Sequence, residues 1–250
     1  MTPAKTNSLA TETSLLADDV VLRHPFRMDP VRGPAAVLSA LEGLRTTVGG
    51  ACEEIEAFQK DTAQALIWRT QDGRIEGCTL TLLADRKIAE IRIMLRPVHE
   101  LGGWRDRLRA LAPQGEWEIA ETVDRVPDFD PSEPVDPHFP FPVAEEAVFN
   151  SPILRRKPRG AELVKTVIGH ASAVYGHRKL GPVLGGGARR VSYWTGNVVG
   201  FPVEMAGMID FDADGAMVST TVFMQPMPVV ELFRDLVRYR LKDVLEDDYF

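Results

Sequence analysis

Apolar residues recur along this chain in two rhythms, and the succession of rhythms occurs twice. Val20–His24 is a short extended run stopped by Pro25, which biases the residue before it toward extended geometry. After the loop Phe26–Arg32, the residues Ala36, Val37, Ala40, Leu41 and Leu44 fall on one helical face and predict a helix from Pro34 to about Leu44. Proline suits its first turn, where the missing N–H has no intrahelical partner to lose. Four strand-like runs follow: Cys52–Gln59, Ala63–Thr70, Arg74–Ala84 and Ile88–Arg96. Turns at Gln71–Gly73 and Asp85–Lys87 make them an antiparallel meander. Val98–Leu111 reads as a helix, and so does a short stretch before the first strand, Ala10–Ala17.

The same order then returns. Ala147–Ser151 is a short strand, and Ala161 to about Tyr175 a helix with Leu163, Val164, Val167 and Ile168 on one face. Arg190–Thr195, Phe201–Phe211 and Met217–Gln225 are strands, and Pro228–Glu246 is a long closing helix. The glycine-rich Gly181–Gly187 lacks the GxxxxGK[ST] arrangement of a phosphate loop and is expected to be a flexible loop. The repetition is literal in places. Val21/Val148, Pro25/Pro152, Arg32/Arg159, Gly33/Gly160 and Val37/Val164 match at an offset of 127, and the runs ending at Pro97 and Pro226 match at an offset of 129. A period of this size means a duplicated domain and not a solenoid. The expected boundaries are a first copy at 1–112, a proline-rich acidic linker at 113–142 and a second copy at 143–250. Within the linker, Glu116–Glu121 alternates like an added strand, and Phe129, Phe139 and Phe141 call for partial packing.

Charge removes some function classes. The net charge of −7 argues against nucleic acid as a partner, because phosphate binding needs clustered Lys and Arg. The one basic run, Leu154–Arg159, reads as a solvated loop or a patch for an acidic ligand. Two cysteines, Cys52 and Cys78, form no CxxC pair, so neither a disulfide framework nor a metal site is expected. No run approaches the ~18 apolar residues of a membrane helix, and no secretory leader is evident, so the expected setting is the cytoplasm.

Each copy is thus a short strand, a loop ending in glycine, a helix and a long antiparallel sheet. The motifs DDVVLxHP…RGPAAV and ADGxMxxxxVFxxP resemble the nuclear transport factor 2-like, or SnoaL-like, superfamily. The resemblance covers most of 10–111 and 143–235. It implies an α+β fold of two cone-shaped domains, each a curved antiparallel sheet wrapped on helices with a pocket at its open end, joined as an internal pseudo-dimer. The protein is expected as a monomer of that kind or as a homodimer. Two departures stand out: the long first helix that usually roofs the cone has little room in copy 1 and almost none in copy 2.

The superfamily includes steroid isomerases, cyclases, dehydratases and non-enzymatic modules, and fold alone does not choose among them. The resemblance places a general-base aspartate just before the proline of the first strand; here His24 and Ser151 stand there. The position of the isomerases' protonated acid falls on Cys78 and Gly207. No tyrosine precedes Tyr175, so the steroid-isomerase constellation is absent from both copies. Strand parity makes one face of copy 2 apolar, with Val203, Met205, Gly207, Ile209 and Phe211, either a greasy cavity or a filled core. Copy 1 keeps Glu76 and Cys78 on the matching face. The leading expectation is therefore a small apolar or amphipathic ligand in the copy 1 cone. His24 as base and Glu76 as partner would serve proton-transfer chemistry there, with Trp68, Cys78, Leu80, Met94, Tyr193 and Trp194 contacting the ligand. The alternative is a non-enzymatic carrier or assembly module. No cofactor motif occurs, so no cofactor is expected.

Overall fold

The computed structural model describes residues 13–48, 52–111 and 141–250. Almost all of the proline-rich stretch, including Glu116–Glu121, Phe129 and Phe139, lies outside them. The first half of the chain builds β1 (Leu16–Arg23), β2 (Val31–Arg32), α1 (Pro34–Val48), β3 (Glu53–Lys60), β4 (Ala63–Arg69), β5 (Glu76–Ala84), β6 (Lys87–Arg96) and α2 (Val98–Leu111). The second half builds β7 (Val143–Asn150), α3 (Ala161–Val174), β8 (Tyr175–Gly186), β9 (Arg189–Val198), β10 (Phe201–Phe211), β11 (Met217–Gln225) and α4 (Met227–Leu241). Apart from the two-residue β2, the halves share one succession of elements.

Two of the expected elements differ in kind, and the closing helix expected to Glu246 ends at Leu241. Of the helix anticipated at 10–17, the described part is one 3-10 turn, Thr13–Leu15, after which Leu16 already opens β1. The spacing of Leu16, Val20 and Leu22 suits a strand: all three are buried, and β1 runs parallel to β6 with Leu22 beside Ile91. The glycine-rich 181–187 run is mostly strand and not loop. Its glycines serve close approach: a Cβ on Gly181 would stand 2.5 Å from the Tyr193 ring, and one on Gly185 2.8 Å from Phe58 of the first half. Glycine in a strand often marks such an approach.

Strands β3-β4-β5-β6 and β11-β10-β9-β8 form one continuous sheet, joined where Leu95 of β6 meets Met224 of β11. Side chains alternate across each strand, and the two faces do different work. One face packs on α1–α4 and forms the larger core. The other forms a second apolar cluster in which Phe58, Ile67, Cys78, Leu80 and Met94 of the first half meet Leu184, Val191, Tyr193, Ala206 and Phe223 of the second. The half-sheets are therefore packed face to face through this cluster, and the chain is α+β with two cones back to back.

Backbone contacts across the halves come in matched pairs. The Val98 N–H at the start of α2 donates to the Pro152 carbonyl at 2.8 Å, and the Met227 N–H at the start of α4 donates to the Pro25 carbonyl at 2.7 Å. The first amides of a helix have no intrahelical acceptor, so each half satisfies an orphan donor of the other. Within the halves, Gly33 donates to Val20 and Gly160 to Ala147, both at 2.9 Å, closing each loop onto its first strand.

Candidate functional site

The pairing register sets which residues of the two cones correspond. Leu95 and Met224 are equivalent, and they stand opposite Gly77 and Met205 respectively. Met205 is thus the counterpart of Gly77, and Gly207 that of Thr79. The residues across from Gly77 and Met205 are Trp68 and Trp194, so these tryptophans are equivalent as well. The alignment that paired Cys78 with Gly207 is out by one position, because the turn Asp212–Gly215 is longer than Asp85–Arg86. A one-residue slip moves a side chain to the opposite face of the sheet.

In the first half the described side chains fill the cone. Trp68 is fully buried and lies flat on Gly77, where a Cβ would stand 2.2 Å from its ring. Its Nε1–H donates to Thr79 Oγ1 at 3.0 Å, and its ring stacks on Trp104 of α2 at 6.5 Å between centroids. Leu44 of α1 and Phe26, also buried, complete the filling.

In the second half the cone is hollow. A cavity of about 310 Å³ lies between α3, α4 and the helix-facing side of β8–β11. Two differences between the halves make room for it: Leu44 corresponds to Ala171 and Trp104 to Phe233. Met205 occupies the place of Gly77, so Trp194 cannot lie flat as Trp68 does. Its ring edge sits over Gly207, where a Cβ would come within 2.9 Å, and its face lines the cavity. Phe233 stacks instead on Tyr175, at 4.6 Å between centroids. Among the described residues the walls are apolar, with hydroxyls from Ser151, Ser172, Thr220 and Tyr175 and one charged residue, Arg178. Burial pushes the Tyr175 phenol further above its ordinary value.

The residues singled out from sequence are dispersed by this arrangement. His24 is buried at 1% exposure, and its Nδ1 accepts the Phe26 N–H at 3.2 Å. Ser151 does the same in the other half, its Oγ accepting the Ile153 N–H at 3.2 Å. Burial, with the Arg27 charge, lowers the His24 pKa to about 3, so the ring is neutral near pH 7. Glu76 is ion-paired with Arg96, which also donates to the Ser151 carbonyl. His24 opens instead on a small cleft with Glu204 and Gln225 that does not include Glu76. Cys78, Leu80, Met94 and Tyr193 face the other half-sheet and not the cone, and burial raises the Cys78 thiol to about 12. Trp68 is core. Of the eight, Trp194 alone lines the cavity.

Ala171, Tyr175, Arg178 and Phe233 line the cavity without belonging to any motif of the sequence. The signal that could have found two of them is the size difference between repeats, Leu44 to Ala171 and Trp104 to Phe233. The basic run is met by the chain's own C-terminal segment: Arg156 pairs with Asp248 at 2.7 Å and stacks over Tyr249, and Arg155 donates to the Phe250 carbonyl. Among the described residues no three acidic, histidine or cysteine side chains gather to hold a metal, and no helix is long and apolar enough to cross a membrane.

The two cones, bent antiparallel sheets on helices, have the form that the sequence resemblance to the nuclear transport factor 2-like group implies. No family model matches the chain, and no curated protein matches it. Solved structures do. A steroid delta-isomerase from Pseudomonas aeruginosa is 24% identical over 40% of this chain and 75% of its own, with a TM-score of 0.39. A protein with a cystatin-like fold from Silicibacter pomeroyi is 22% identical over 41% and 72%, with a TM-score of 0.40. An isomerase-like member of the SnoaL-like family from Agrobacterium tumefaciens is 13% identical over 34% and 74%, with a TM-score of 0.29.

Proposed function

We propose that this protein binds a small apolar or amphipathic molecule in the cone of its second half, residues 143–250, and that the first half, residues 1–112, is the solid partner that holds this cone in shape. The observation that carries the reading is the cavity of about 310 Å³. It lies at the lower end of the range for small-molecule sites, which are concave and mostly apolar with a few placed polar groups. His24 and Ser151 act in this reading as equivalent loop-closing residues, because each spends its side-chain acceptor on the amide two residues ahead. Binding, and not proton transfer, is thus the activity supported: among the described residues the wall offers hydroxyls and one guanidinium but no carboxylate or imidazole.

The test is to refill the cavity as the first half is filled. Ala171→Leu restores the counterpart of Leu44. Calorimetry with octan-1-ol and octanoate on the purified chain should show saturable binding of at least one of them. The variant should lose tenfold or more of that affinity while its thermal midpoint holds or rises, since a void is being filled. Failure of both compounds to bind the unmodified chain overturns the reading.

A further inference from the structure

Among the described residues the cavity has one charged side chain in its wall, and the local backbone explains why it is there. Strand β8 pairs with β9 through Gly176 opposite Asn197 and then Lys179 opposite Thr195, so β8 carries one residue more than β9 between these pairs. This is a β-bulge. His177 within it has φ of +47°, in the left-handed region. Bulges bend a strand and re-aim its side chains, often beside functional sites. Here the bulge contains Arg178, a residue of the cavity wall.

Arg178 has not been recruited to an ion pair. Among the described residues no carboxylate stands within 4.0 Å of its guanidinium, in contrast to Arg189 on the other face of the sheet, which pairs with both Asp210 and Glu56. Arg178 is solvent-exposed, so its charge stands at the mouth of the apolar cavity. Of the four hydroxyls in the wall, two stand near Arg178 along the chain. Tyr175 sends its O–H only to the Met224 thioether, at 3.5 Å, a weak acceptor that a charged oxygen would displace. Ser172 stands one turn back on α3.

We infer that the ligand is an amphipathic monocarboxylate, with its apolar body in the cavity and its carboxylate on Arg178 and the Tyr175 hydroxyl. This rests on the ligand-binding reading above and adds the chemical class. Guanidinium and carboxylate match as a planar fork, and charge-assisted hydrogen bonds of this kind are about twice as strong as neutral ones. A carboxylate also leaves the apolar walls to the chain that carries it.

The experiment compares three compounds with the same eight-carbon tail on the full chain by calorimetry: octanoate, octan-1-ol and octyltrimethylammonium. The expected order is octanoate tighter than octan-1-ol by about tenfold, with the cation weakest. Arg178→Gln should bring octanoate down to the level of octan-1-ol and leave octan-1-ol within twofold. Tyr175→Phe should cost octanoate a smaller factor and leave octan-1-ol unchanged. Equal binding of octanoate and octan-1-ol, or an octanoate affinity unmoved by Arg178→Gln, overturns the carboxylate assignment while the cavity reading stands. If none of the three binds, the cavity reading fails and this inference with it.

Discussion

The two halves of this chain share a fold and differ in what fills it. In the first, Trp68 lies on Gly77, stacks on Trp104 and is sealed by Leu44. In the second, Met205, Phe233 and Ala171 stand at those three places, and Trp194 is left edge-on over Gly207 beside a void. The difference teaches that a cone does not become a pocket by acquiring polar chemistry. It becomes one when an aromatic ring loses the glycine it lay on and its neighbours shrink. The first expectation this raises is a stability contrast. Trp68→Ala should cost about 3–5 kcal/mol, the range for a fully buried aromatic truncated to alanine. Trp194→Ala should cost about half of that or less, because one side of its ring already faces space. Urea unfolding of the two variants measures both, and equal costs would mean the cavity is closed in solution.

The same comparison isolates a titrating group. His24 and Ser151 make the same turn, but only histidine can take up a proton. Buried, with its pKa lowered to about 3, it stays neutral in the folded state, whereas the unfolded chain protonates it below about 6.5. The unfolded state therefore binds more protons between these values, so stability falls as pH drops from 6.5 toward 3 and is complete above 6.5. By pH 5 this single group should remove about 2 kcal/mol. His99 and His170, also lowered by burial, act in the same direction. His24→Ser, which copies the second half, should cost packing at every pH but flatten the acid limb. Unfolding midpoints at pH 7 and pH 5 check it, and an unchanged slope would show that His24 is not the group responsible.

Much of the fold was legible because periodicity and literal repetition pointed the same way: β10 and β11 begin and end where the alternation does, and α2 spans Val98–Leu111 as its apolar spacing requires. The site was legible only in part. Parity correctly grouped Met205, Gly207 and Ile209 as one apolar face, which now lines the cavity. In the first half the same argument was carried across on a count from the turn, and turns of different length put Cys78 where Thr79 belongs. Cys78, Leu80 and Met94 thereby moved from the cone to the contact between half-sheets, a face that exists only because the two halves pack together. The glycines of β8 misled for a related reason: Gly181 and Gly185 are spaces for Tyr193 and Phe58, and nothing local reveals that. Arg178 could not be read at all without the bulge that positions it.

The smallest effect bears most directly on the contrast between solid and hollow. Gly207→Ala adds one methyl beneath the outer edge of Trp194, at 2.9 and 3.1 Å from its ring atoms. In a filled core such an overlap costs about 1–3 kcal/mol, because nothing can give way. Here the ring has a void beside it and can tilt, so the expected cost is under ~1 kcal/mol. The displaced ring has only the cavity to enter, which should weaken ligand binding severalfold while stability scarcely moves. Trp194→Phe in the same background, with a smaller ring, should restore part of the binding. A Gly207→Ala variant that is strongly destabilised yet binds octanoate normally would mean that the Trp194 edge is held as rigidly as Trp68, and that the two cones differ in size but not in freedom.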